Sequence, residues 1–273
     1  MTDLSTTEQN VRRILVALDA SPHSVAALRA AAQLAALMGA ELQGLFVEDI
    51  NLIQLAHFPF SQEVGSYTAS RRRLDNSSME RQMRAIARAI RQAMAEVANQ
   101  AHVRWSFQVA RGPVTAELLA AAEAALLLSM GRAGRRRRKS LGSTVQSVVS
   151  RTSRPVLILD EEGQLKYPLT VLYTGSPAAD RALRLAIQLT QRTPSELRVL
   201  IWAGEGQTES AERLQKRVEQ LAADQQVKVR LVRVDKTDNL LAAVQEGNGG
   251  TLVLPSERSF LLSAHVGPTL VVP

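Results

Sequence analysis

The residues with the clearest chemical use lie between Gly131 and Thr144. An apolar run from Ala125 to Met130 leads directly into Gly131-Arg132-Ala133-Gly134, followed by the cations Arg135 to Lys139. Then comes Gly142-Ser143-Thr144, ahead of the helix-like segment Val145 to Ser150. Glycines let the main chain turn tightly and bring its N–H groups close to an anion. The start of the following helix adds unpaired N–H donors and a positive dipole end. Ser143 and Thr144 read both as caps of that helix and as hydroxyl donors. The order therefore suits a phosphate group, with the cationic run either a solvated face or a counter-charge to the phosphate tail. Asp19 directly follows the apolar run Ile14 to Leu18. There it reads by itself as a turn or helix-entry residue that brings a carboxylate to the end of a strand.

Other chemistries find no support. His23, His57, His102 and His265 are scattered, and cysteine is absent. No His-x-x-x-His pair suits zinc, no Gly-x-Ser-x-Gly turn presents a nucleophile, and no phosphate loop ends in Gly-Lys-Ser/Thr. Gly131 to Gly134 is also not the six-residue dinucleotide fingerprint. No catalytic residue and no metal ligand is assigned.

The elements that must position these groups come twice. At one constant offset, Ser21-Pro22 aligns with Ser176-Pro177, Ala27-Leu28-Arg29 with Ala182-Leu183-Arg184, Gln33-Leu34 with Gln188-Leu189, and Glu41-Leu42 with Glu196-Leu197. Each copy reads as an apolar strand, a helix entered by Ser-Pro, and a second apolar strand. Apolar strands alternating with helices imply a parallel sheet covered on its faces, because parallel strands need a crossover of about a dozen residues. Both copies close on a proline-opened strand, Pro155 to Leu159 and Pro268 to Val272, and the polar stretch Glu161 to Lys166 separates them. The second copy is shorter. Its missing residues are expected to correspond to the loop and helix after the first copy's second strand, and to the glycine-rich segment.

A helix is predicted from Asn76 to Asn99. Arg81, Arg84, Arg88 and Arg91 form its wet face, while Met79, Met83, Ile86, Ile90, Met94 and Val97 form its core stripe. The segment Asn51 to Asp75 shows neither strand alternation nor strong helical period, and reads as a cover, a partner surface or a long connection.

With 273 residues and 45% apolar content, the chain can build two ordinary cores. The polar opening MTDLSTTEQN does not resemble a secretory signal, and Leu118 to Met130 is too short and too interrupted by Glu123 to span a bilayer. A net charge of +7 favours anionic ligands without choosing among them. No aromatic single-strand platform or zinc-finger spacing supports nucleic-acid binding, which is not expected.

The frame of glycine, two residues, glycine, a spacer, then glycine with Ser or Thr resembles the universal stress protein family. Seven residues separate Gly134 from Gly142, where the family has nine. The resemblance implies that Gly131, Gly134, Gly142, Ser143 and Thr144 face the phosphates of ATP, with or without magnesium. Asp19 resembles the acidic residue that meets the nucleoside, and Val47 the residue beside adenine. Two tandem Rossmann-like α/β domains follow, each an open, mostly parallel sheet flanked by helices, over residues 1–160 and 167–273. Their final strands, Pro155 to Leu159 and Thr269 to Val272, are expected to pair within the chain, and a homodimer of such chains is compatible with this. The implied role is a cytoplasmic stress-response or signalling protein that binds nucleotide, modulates a protein partner, and hydrolyses ATP slowly at most. The alternative is a nucleotide-free scaffold acting through protein contacts. In the second copy Thr174 stands in the place of Asp19, and Leu254-Pro255-Ser256-Glu257-Arg258 replaces the glycine segment. Proline lacks an N–H and Glu257 repels phosphate, so no ATP is expected there.

Overall fold

The computed structural model describes residues 12–51, 54, 62–64, 71–73, 76–133, 141–161, 164–204, 208–246, 249–265 and 267–273. In the first half β1 (Arg13–Leu18), α1 (Pro22–Met38) and β2 (Glu41–Asp49) lead to a short pair, β3 (Gln62–Val64) and β4 (Arg71–Arg73). Then come α2 (Asn76–Gln100), β5 (Trp105–Gly112), α3 (Val114–Ala122), β6 (Leu127–Gly131), α4 (Ser143–Arg151) and β7 (Val156–Leu159). The second half runs β8 (Leu169–Tyr173), α5 (Pro177–Thr190), β9 (Leu197–Ile201), α6 (Thr208–Asp224), β10 (Val229–Arg233), α7 (Thr237–Glu246), β11 (Thr251–Pro255), a 3-10 helix η1 (Ser256–Ser263) and β12 (Thr269–Val272).

Ten strands form one sheet in the order β10-β9-β8-β11-β12-β7-β6-β1-β2-β5. Within each half of this sheet every pairing is parallel, and the halves join where β7 and β12 run antiparallel, with Leu157 opposite Leu270. The central strands are buried throughout, as in β8 and β11, because helices cover both faces. One face carries α1, α2, α5 and α6, packed on Ile14, Val16, Val171 and Val199. The other carries α3, α4, α7 and η1, packed on Leu15, Leu128, Leu172 and Leu254.

The local signals act as expected in α1. Ser21 caps its start, with the Ser24 amide donating to Ser21 Oγ at 3.1 Å, Pro22 occupies the first turn, and Gly39 ends it in the left-handed region at φ 61°. The α2 arginines 81, 84, 88 and 91 are all exposed, and Ile90 and Met94 are buried against β2.

Two expectations are corrected. The second half keeps the helix after its second strand, as α6, whose Leu214, Val218 and Leu221 face the core. Its charged exterior, rich in Glu, Gln and Arg, hid this stripe. Among the described residues it has no counterpart of β3 and β4, and it has η1 where the first half has α4. The reading of Asn51 to Asp75 as free of strand also fails, since β3 and β4 pair antiparallel. Strands of three residues are too short to show a period of two, and Arg71-Arg72-Arg73 has no apolar face. Most of the remainder of that segment lies outside the described residues.

Candidate functional site

The chain order in the first half, β5-β2-β1-β6-β7, reverses direction between β1 and β6. At the carboxyl ends of open parallel strands, this reversal splits the crossovers to opposite faces and opens a crevice. A cavity of about 430 Å³ lies there, within the ordinary range for a small-ligand site. Asp19, Val47, Gly131, Gly142, Ser143 and Thr144 all line it, so the structure brings together six of the seven residues singled out in the sequence. Gly134 and the cations Arg135 to Lys139 lie outside the described residues.

Each is placed by a local device. Asp19 directly follows β1, and its Oδ1 accepts from the Ser21 amide at 3.0 Å, which closes the turn into α1. Ala20 in that turn has φ +61°, a left-handed conformation that costs a residue with a Cβ roughly 1–2 kcal/mol. Gly131 ends β6 because α1 passes directly over it. A Cβ there would lie 2.7 Å from His23 Cβ and 2.8 Å from the His23 carbonyl carbon. The same approach is tied by Ser129, whose Oγ donates to the Ala27 carbonyl at 3.0 Å. The glycine-rich segment is closed at its base, where the Gly142 amide donates to the Arg132 carbonyl at 3.0 Å.

The expectation that Ser143 or Thr144 caps α4 is corrected. The cap is Gly142, in extended conformation, and among the described residues no side-chain cap bond is made. Glycine has no side-chain oxygen to offer, so α4 starts without a side-chain cap where Gly142, Ser143 and Thr144 line the cavity. By contrast α1 and α5 are both capped by serine, Ser21 and Ser176.

Sequence reasoning missed the rest of the lining. Leu45, Phe46, Met83, Ile86, Val114 and Leu118 give the cavity apolar walls, and Asp49 adds a second carboxylate beside Asp19. Met83 and Ile86 belong to the α2 stripe already read as core, so the signal was present but assigned to packing alone. Asp49 shows no such signal beyond closing β2. Its Oδ1 accepts from the Asn51 amide at 2.9 Å. None of the described lining residues is Lys or Arg. The neighbouring Glu48 carboxylate is held by Arg111 Nη2 at 2.8 Å.

The corresponding place in the second half is filled from within. Glu257, at the start of η1, accepts from the Ser176 hydroxyl and from Thr174 Oγ1 at 3.3 Å, over the β8–α5 turn. Beneath them the buried Tyr173 hydroxyl donates to Asp180 at 2.7 Å. Its pKa is raised by burial first and by that bond second. At the end of β11 Pro255 stands where β6 has Gly131.

Comparison with known proteins bears on the fold and the family. The fold is similar to a universal stress protein from Archaeoglobus fulgidus DSM 4304, 18% identical, with a TM-score of 0.73 over 97% of this chain and 98% of that one. It is also similar to a functionally unknown protein from Pseudomonas aeruginosa PAO1, 13% identical, with a TM-score of 0.54 over 96% of this chain and 92% of that one. A universal stress protein in complex with cAMP is 22% identical over 54% of this chain and 96% of that one, with a TM-score of 0.39. No curated protein matches the sequence. The sequence model of the universal stress protein family matches residues 10–160, more than half the chain and the half that holds the cavity. The chain therefore belongs to the universal stress protein family.

Proposed function

We propose that the first half binds ATP and that binding, rather than catalysis, is its function. The observation that carries this reading is the convergence of Asp19, Val47, Gly131, Gly142, Ser143 and Thr144 on one cavity, beside the uncapped start of α4. Apolar walls suit a base, a carboxylate suits ribose hydroxyls, and helix-end amides suit phosphate. Among the described residues no group of three His, Cys, Asp or Glu could hold a metal ion. Magnesium would therefore enter with the nucleotide, held chiefly by phosphate and water.

Bound nucleotide would order the Gly131 to Thr144 segment and alter the surface offered to a protein partner in a stress or signalling response. Hydrolysis would be slow at most, and the cytoplasm is the compartment this role implies. Among the described residues no helix is long and apolar enough to cross a membrane.

Thermal denaturation with and without Mg-ATP tests the reading. At about 100 times the dissociation constant, ligand adds roughly 2.7 kcal/mol. Asp19→Ala should abolish most of that shift, and should also lower the unliganded midpoint modestly because the Ser21 amide loses its acceptor. No shift at millimolar Mg-ATP would favour the scaffold reading.

A further inference from the structure

Arg132 lies between two residues that line the cavity, Gly131 and Ala133, yet its side chain leaves the cavity and enters the second half. It is 4% exposed, and its Nη2 donates to the Leu262 carbonyl of η1. In the turn ending η1 the amides of Ala264 and His265 both return to the Leu261 carbonyl, at 3.0 and 3.1 Å, and not to that of Leu262. The main chain of Arg132 is fixed as well. Its amide donates to the Leu159 carbonyl of β7 at 2.6 Å, and its carbonyl accepts from the Gly142 amide. One residue thus joins the base of the glycine-rich segment, the seam strand β7 and the second half.

The surroundings are polar and enclosed. His265 is 1% exposed, and neither its ring nitrogens nor Arg132 Nε and Nη1 find a partner among the described residues. Burial pulls the pKa of both groups down, and Asp160 opposes this in both. A buried cation with incomplete pairing is costly, and an apolar side chain of similar volume is often at least as stable. Packing alone does not call for arginine at this position.

We propose that Arg132 is a positioning residue, a tether through which the second half holds the phosphate-facing turn of the cavity, so that cavity occupancy and the arrangement of η1 are coupled. The direction is reciprocal: whatever orders the turn orders η1, and whatever displaces η1 loosens the turn. This rests on the nucleotide reading only for the identity of the occupant. The second half, without a glycine segment of its own, then has a role in the site that the first half carries.

Amide hydrogen exchange on the full chain tests the tether, using wild type, Arg132→Met and Arg132→Lys. Without nucleotide, Arg132→Met should speed exchange about tenfold at both 142–146 and 262–265, as expected when a charge-assisted hydrogen bond is lost locally, with β1 and β9 unchanged. Arg132→Lys, which keeps a donor, should recover part of that protection. Wild-type rates at 262–265 in Arg132→Met, or a rise spread over every strand, would overturn the proposal. With saturating Mg-ATP, wild type should slow at 262–265 as well as at 142–146, and this comparison needs no variant. Slowing at 142–146 alone would show that no coupling reaches η1. Slowing nowhere would remove the nucleotide reading, while the nucleotide-free comparison still decides the tether.

Discussion

The two halves share a strand order and differ at one end of it. Each has a β-turn-α unit entered by Ser-Pro, and each has a strand from which a connection leaves toward the seam. In the first half that connection begins at Gly131, ends on the uncapped α4, and leaves a cavity of about 430 Å³. In the second it is Pro255 and η1, and Glu257 accepts the hydroxyl hydrogen bonds of Ser176 and Thr174. The first arrangement gathers N–H donors and the second supplies its own carboxylate. On the proposed reading, donors await an external anion in one half, whereas in the other the Ser176 and Thr174 hydroxyls reach a carboxylate of the chain itself.

The largest expected effect sharpens this contrast at the strand ends. Gly131→Ala places a Cβ against the main chain of His23, which cannot move as a side-chain tip can. Overpacking of this kind costs roughly 1–3 kcal/mol, and nucleotide affinity should fall with it. Pro255→Gly, the reciprocal change, should cost less than about 1 kcal/mol, chiefly through the freedom it gives the unfolded chain. Equal losses on urea denaturation would break the comparison.

Glu257→Ala should destabilise the protein by about 1 kcal/mol, because two hydroxyls lose an acceptor. It should create no second nucleotide site, since Pro255 still lacks an amide proton. Two equivalents of ATP bound in calorimetry would refute the view that the two connections, and not this one side chain, separate the halves.

A third effect has the opposite sign. The β1–α1 and β8–α5 turns both need a left-handed residue, Ala20 at φ +61° and Gly175 at φ +80°. Ala20→Gly removes the Cβ strain and should raise stability by up to about 1 kcal/mol, after the unfolded chain's added freedom is subtracted. Looser holding of Asp19 should accompany it, read as weaker ATP binding. Unchanged affinity would show that the strained turn does not position the carboxylate.

The smallest effect concerns acid. His265 has a folded-state pKa below its ordinary 6.5, because burial and then Arg132 disfavour the imidazolium, with Asp160 opposing. Its contribution to stability is complete above that ordinary value and is lost as pH falls through it toward the folded value. Between about pH 7 and about pH 5 the thermal midpoint of wild type should decline more steeply than that of His265→Gln. Parallel declines would show that His265 is not held neutral.

The repeat, the parallel sheet and six of the residues that line the cavity were legible because each rests on short-range rules. Ser-Pro before a helix, apolar strands in alternation and glycine ahead of a helix are all local signals. The apolar walls were legible only as core, since Met83 and Ile86 obey the same period whether they face a sheet or a ligand. Asp49 and Arg132 could not be read at all. Their roles depend on which segments meet in space, and Leu262 lies far along the chain from the glycine segment it steadies. The uncapped start of α4 was misread because Ser and Thr beside a glycine look like caps. The residue in the cap position was the glycine itself.

The antiparallel seam between β7 and β12 has a consequence for the cell. Two subunits that meet by collision separate when they become scarce, whereas Leu157 and Leu270 belong to one polypeptide and stay at high effective concentration at any dilution. Every copy of the cavity-bearing half is therefore synthesised with its own non-identical companion. Swings in expression level leave their one-to-one ratio untouched.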